Sequence, residues 1–153
     1  MNKKIFKPKK GQVDYTNIRW CPVINCVLKY KNKLLVVKRS EELNFYPCYW
    51  NGISGFLDDK KDLNQKVLSE LKEELGILKK DILKIKLGEI FDQNEPKYKK
   101  IWIVHPVLVE IKTNKIKLDW EAQNYKWAEI NEIQKLKLLP GFDIVLEKIS
   151  KLL

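Results

Sequence analysis

Histidine, arginine and alanine are nearly missing from this chain. Among its 153 residues His105 is the one histidine, arginine occurs only at Arg19 and Arg39, and alanine only at Ala122 and Ala128. Cysteine is confined to Cys21, Cys26 and Cys48. That odd count, without paired spacing, argues against a disulfide framework, and one histidine leaves too few ligands for a zinc site. The cysteines read as plain thiols in or near a core. No apolar run reaches the roughly 18 residues needed to cross a bilayer, and no signal-peptide pattern opens the sequence. The expectation is a cytoplasmic protein without a membrane partner.

What remains is ordinary for a globular domain: 44% apolar and 33% charged residues, in a length that suits one core. The net charge of +10 invites a polyanionic partner. Yet nearly all of the 30 basic residues are lysines, whereas phosphate recognition favours the guanidinium fork. Such a composition fits AT-rich codon usage. Nucleic acid is therefore not the favoured partner; phosphorylated small molecules suit the same charge.

Residues 1–19 read as a basic polar arm, with Pro8, Gly11 and five lysines against regular structure. "PVINCVLKYKNKLLVVKRS" predicts a hairpin turning at Asn32, and "EELNFYPCYWNGISGFLDD" an irregular loop ending in a short strand. Leu63, Val67, Leu71 and Leu75 recur every four residues and predict a helix over 62–75, with Asp59 or Asp62 to cap its start and Gly76 to end it. "ILKIKLGEIFDQ", "IWIVHPVLVEIK" and "KIKLDW" follow as strand candidates, "EPKYKK" as the turn between the first two, and helix returns from Glu129. Strands on both sides of a central helix define an α/β domain with helices on both faces of a mixed sheet.

The predicted helix carries Glu70, Glu73 and Glu74 at spacings that share a face, placed opposite the leucine stripe. These like charges repel one another and sit in the last turn, where the helix dipole disfavours them. A rule broken without local compensation marks a functional site. A hard dication such as Mg²⁺ would remove both penalties. The alternative is a solvated acidic face relieved by Lys66 and Lys72.

The surrounding residues resemble the Nudix box, Gly-x5-Glu-x7-Arg-Glu-U-x-Glu-Glu-x-Gly-U, with U a bulky aliphatic residue. Gly55, Glu70, Leu71, Glu73, Glu74, Gly76 and Ile77 match it across 23 residues. Lys61 stands at the first glutamate position and Ser69 at the arginine position. That arginine normally orients the glutamate beside it; Lys66, one turn earlier, is the residue available to take over part of its role. The resemblance extends over about residues 20–150, so the expected organisation is the arm at 1–19 and a single Nudix domain at 20–153. It implies an α/β/α sandwich with a mixed sheet between helices.

By the same resemblance, Glu70, Glu73, Glu74 and a late carboxylate, Glu121, serve as metal ligands and catalytic groups. The Ser54 carbonyl joins them as a ligand, and Mg²⁺, or Mn²⁺ in its place, is the cofactor. The implied reaction is hydrolysis of a diphosphate joining a nucleoside to another group. The alternative reading is a catalytically weak or inactive Nudix fold that binds a nucleotide or RNA, motivated by Lys61, Ser69 and the charge. Arg39 is the candidate phosphate contact, or else a surface arginine. Tyr46, Tyr49 and Trp50 either stack on a base or close one end of the core; Tyr49 and Trp50 are carried forward as substrate-binding candidates. Trp102, Trp127 and His105 read as structural. A monomer and a homodimer are equally compatible with the sequence.

Overall fold

A strand that is apolar on both faces needs cover on both sides, and two strands of this chain have that pattern. The computed structural model describes residues 7–153. Among them the order is β1 (Trp20–Tyr30), β2 (Lys33–Arg39), β3 (Trp50–Asn51), β4 (Ile53–Phe56), α1 (Leu63–Leu75), β5 (Ile82–Leu87), β6 (Phe91–Glu95), β7 (Lys100–Ile111), β8 (Ala122–Ala128), α2 (Ile130–Ile133) and α3 (Phe142–Ser150). All eight strands join one sheet. β1 and β7 run parallel at its centre, from Trp20 opposite Ile101 to Lys29 opposite Glu110. The other pairings between strands are antiparallel.

The mixed sheet expected from the sequence is therefore present, with helices on both sides. One face packs Ile24, Cys26, Leu35, Val37 and Val107 against Val67, Leu71 and Leu75 of α1. The other packs Val27, Val36, Val104 and Leu108 against Phe142, Val145, Leu146 and Ile149 of α3. Full burial of each such side chain contributes about 1.5–3 kcal/mol.

α1 has the predicted bounds. Asp62 caps its start, accepting from the Gln65 amide at 2.8 Å, while the Gln65 side chain accepts from the Asp62 amide at 3.0 Å. Gly76 ends it in the left-handed conformation at φ 68°, donating to the carbonyls of Leu71 and Lys72. The hairpin is also found, with Lys31 and Asn32 between β1 and β2 and Lys31 taking the positive φ of 53°.

Two local readings change. "ILKIKLGEIFDQ" is two strands, β5 and β6, interrupted at Gly88–Ile90. "KIKLDW" is no strand but a strap along the end of α1: the Lys117 amide donates to Leu75 O at 3.0 Å, and the Asp119 amide to Glu74 O at 3.2 Å. Those contacts occupy the unpaired carbonyls that every helix leaves at its C-terminus. Strand pairing resumes only at Ala122, against β2.

Residues 1–6 of the predicted arm lie outside the described residues. Residues 7–19 form no helix or strand, but they are tied to the domain. The Val13 amide donates to Asp58 O at 2.6 Å, and Tyr15 stacks on Phe56 at 5.5 Å between ring centroids. The buried Lys100 ammonium donates to the carbonyls of Tyr15, Thr16 and Ile18.

Candidate active site

The site forms where α1, the end of β2, β4 and the strap into β8 converge. At 3.6 residues per turn Glu74 points only about 60° from Leu71, whereas Glu73 points about 160° away. The carboxylates are therefore not all opposite the leucine stripe, as the spacing alone suggested. Glu70 and Glu74 lie half-buried on the flank of α1, and only Glu73 is exposed.

Glu74, Asp119 and Glu121 each offer one oxygen, and these oxygens lie within 4.8 Å of one another. Glu74 Oε2 is buried and has no hydrogen-bond partner. Burial first, then the neighbouring Glu121 charge, raises the Glu74 pKa well above the usual carboxylate range. Burial likewise raises Glu70, with the Glu73 charge adding to it, and raises Asp119. Glu121 is pushed up to about 7, by burial and then by Asp119. An oxygen-only donor set with an orphaned buried oxygen fits a hard dication. The crowding that penalises the bare carboxylates is what such an ion relieves.

Gly55 shows why the box begins with glycine. A Cβ built there would sit 2.8 Å from Glu70 Cδ and 2.9 Å from its Oε1. The backbone of β4 thus lies directly against the Glu70 carboxylate. Ser54 next to it accepts from Asn51 Nδ2 at 3.3 Å, and Asn51 accepts from Asn25 at 2.9 Å. This buried polar ladder fixes β4 against β1 beneath the site.

Arg39 is half-buried. Its Nε and Nη2 both donate to the Phe45 carbonyl, at 3.2 and 2.9 Å, and Nη1 reaches Ser54 Oγ at 3.5 Å. Burial lowers its pKa, and the charges of Glu74 and Glu121 act against that shift. The guanidinium therefore faces the carboxylates while it clasps the 41–49 loop. Tyr46 is buried in that loop, its hydroxyl accepting from the Trp102 indole at 2.8 Å, so it and Trp102 belong to the core. Tyr49 and Trp50 stay half-buried. Each carries a lysine: Lys137 Nζ lies 4.5 Å from the Tyr49 ring centroid, and Lys126 Nζ 5.8 Å from that of Trp50. His105 Nδ1 lies 3.0 Å from Val23 O, a structural contact. Trp127 packs against the α1-side core.

The two departures from the box pattern are both drawn away from the carboxylates. Lys61 Nζ pairs with Asp59 at 3.0 Å. Lys61 and Ser69 line one shallow surface groove with Gln65 and Lys72. Lys66, which only the alternative reading put on a solvated acidic face, is buried: its ammonium lies 2.9 Å from Asp58, 3.5 Å from Asp59 and 3.5 Å from Glu70. Hydrogen bonding to Asp58 and the charge of Glu70 outweigh the opposing effect of burial and raise its pKa.

Two residues that the sequence did not single out belong here. Asp119 stands two positions before Glu121, a visible signal once Glu121 is taken as a ligand. Asp58, in the loop before α1, carries no signal of its own.

This combination of a mixed sheet between helices and a glycine-backed carboxylate cluster on α1 defines a class. The family model for the NUDIX domain matches residues 19–149. The chain belongs to the NUDIX family. It is 23% identical over 132 residues to YvcI of Bacillus subtilis (strain 168), an uncharacterized Nudix hydrolase, covering 84% of this chain and 78% of that protein. Among solved structures it is similar to the MutT protein of Methanosarcina mazei Go1, with TM-score 0.68 and 19% identity over 88% of this chain and 96% of the other. It is also similar to a C. elegans Ap4A hydrolase, solved as a binary complex, with TM-score 0.65 and 20% identity over 88% and 97%.

Proposed function

We propose that this protein hydrolyses a diphosphate linkage in a nucleoside diphosphate joined to another group, with Mg²⁺ as its cofactor and Mn²⁺ as a substitute. The observation that carries the reading is the buried, partnerless Glu74 oxygen within the Glu74, Asp119 and Glu121 cluster. An acidic face made only for solubility leaves its oxygens in water.

Glu70, Glu73, Glu74 and Glu121, with the Ser54 carbonyl, would hold the cation, and Asp119 adds an oxygen to the same set. When bound, Mg²⁺ supplies charge neutralisation for the diphosphate and lowers the pKa of the attacking water. One of the carboxylates around the cation, with Glu121 among them, would take the proton from the attacking water. Arg39 keeps a cation facing the carboxylate cluster, where a diphosphate would need one, and its grip on Phe45 O orders the loop leading to Tyr49 and Trp50. Tyr49 and Trp50 pack against the α3-side core with Lys137 and Lys126 beside their rings, and their exposed edges are what they offer to a base. Dinucleoside polyphosphates, sugar nucleotides, nucleoside triphosphates and capped RNA all share this diphosphate and are the substrate classes to try.

The test is product analysis by ³¹P NMR on Ap4A, ADP-ribose, nucleoside triphosphates and a capped RNA, each with Mg²⁺ and with EDTA. New phosphate or monophosphate resonances that need Mg²⁺ are expected for at least one substrate. Tight, salt-dependent binding of these ligands with no product from any would replace this reading by a binding module.

A further inference from the structure

Lys66 precedes Glu70 by four residues, and lysine before glutamate is the weaker order for a helix-stabilising pair. Local helix energetics therefore does not explain why this ammonium is buried. Its surroundings do. An ammonium has three donors, and Lys66 Nζ meets three acidic side chains: Asp58, Asp59 and Glu70. Asp58 is saturated in turn. Its Oδ1 accepts from Lys66 at 2.9 Å, its Oδ2 from Gln12 Nε2 at 2.7 Å, and its carbonyl from the Val13 amide at 2.6 Å. On the other side, the bare backbone of Gly55 lies against the Glu70 carboxylate, where a Cβ would come within 2.8 Å of Cδ. Glu70 is thus pinched between β4 and Lys66, and Lys66 is anchored through Asp58 to the segment before β1.

We infer that Lys66 and Asp58 are a positioning pair that holds the Glu70 carboxylate in place, filling the role of the arginine that Ser69 replaces. Gln12 and Val13 lock the pair from outside the helix. The inference rests on the proposed metal-dependent reading of the site. Fixing a ligand's rotamer before the cation arrives removes an ordering cost from binding. It also explains how Ser69 is tolerated: the orienting charge has moved one turn along α1 and gained a partner in the preceding loop.

The test is an Asp58→Asn/Lys66→Met double variant. It removes one charge of each sign, so the net charge of the protein is unchanged, while Glu70 loses the ammonium that holds it. The side-chain amide introduced by Asp58→Asn can still accept from Gln12. The readouts are Mn²⁺ affinity of the free protein by EPR titration, kcat and KM separately, and thermal melting. The expected result is a folded protein whose Mn²⁺ Kd rises about 10–100-fold, with a fall in kcat on that scale and KM near wild type. A folded double variant with the wild-type Mn²⁺ Kd overturns the inference while leaving the proposed function standing. A wild-type protein that binds no Mn²⁺ overturns both. Gln12→Leu, at a half-buried position outside the core, gives an independent check: a smaller rise in the same Kd is expected, and an unchanged Kd overturns the lock from the N-terminal segment.

Discussion

The two long helices cover opposite faces of one sheet and treat charge in opposite ways. α3 has Asp143 in its first turn and Lys148 in its last, as the helix dipole prefers. Its buried residues are all apolar: Phe142, Val145, Leu146 and Ile149. α1 has no acid in its first turn and gathers Glu70, Glu73 and Glu74 towards its end, with Lys66 buried among its packing residues. Both helices solve the same packing problem, and only one departs from the rules for doing so. On the proposed reading the departure is where a functional load falls, because packing alone gives no reason to keep a buried, partnerless carboxylate oxygen.

That contrast can be broken at several points. The largest effect is expected from Glu73→Gln/Glu74→Gln: a fall in turnover on the order of 10³-fold, the scale of losing charge stabilisation in a transition state. Its melting temperature without metal should hold or rise, since the crowded Glu74 carboxylate and its exposed neighbour Glu73 are neutralised. Next comes Leu146→Ala on α3, expected to cost about 2–5 kcal/mol in urea unfolding while kcat of the folded protein is unchanged. Were it to lower kcat as well, the two faces would not be functionally separate.

Gly55→Ala should do the reverse. The added methyl meets the Glu70 carboxylate, so activity falls about 10–100-fold with little loss in the unfolding midpoint.

The smallest expected effect is on pH dependence. Glu70, Glu74, Asp119 and Glu121 have folded-state pKa values raised above their unfolded values, burial being the first cause in each. The folded state then holds protons that the unfolded state releases. Stability contributed by these groups is present at acid pH and lost as pH rises from roughly 4 through the folded value, about 7 at Glu121. Without divalent cation the melting temperature should fall between pH 5 and pH 8; Glu74→Gln should flatten that fall, and saturating Mg²⁺ should do the same. A wild-type slope that neither change alters would contradict the burial of ionised carboxylates.

Much of this was legible in the sequence, and what was not has a physical cause. Asp62, Gly76 and the leucine repeat fix α1 because capping and periodicity are local. The spacing from Gly55 to Ile77, with Glu121 beyond it, carried the family resemblance. "KIKLDW" alternates like a strand, but its amides are taken by the carbonyls at the end of α1, a contact set by tertiary structure. Lys66 lies one turn before Glu70 in sequence, yet its burial depends on Asp58 and, through it, on Gln12. Asp58 had no local signature at all. Asp119, two positions before Glu121, is held in the cluster by its amide at Glu74 O, a contact that the spacing hints at only once Glu121 is taken as a ligand.

The measurement closest to the central claim is the initial rate of diphosphate hydrolysis against Mg²⁺ concentration, for wild type and Glu73→Gln/Glu74→Gln on the same nucleotide panel. The account predicts a saturable Mg²⁺ dependence in the wild type on at least one substrate, and its loss in the double variant. Equal rates in the two proteins, or a wild type with no Mg²⁺-dependent turnover across the panel, would contradict it.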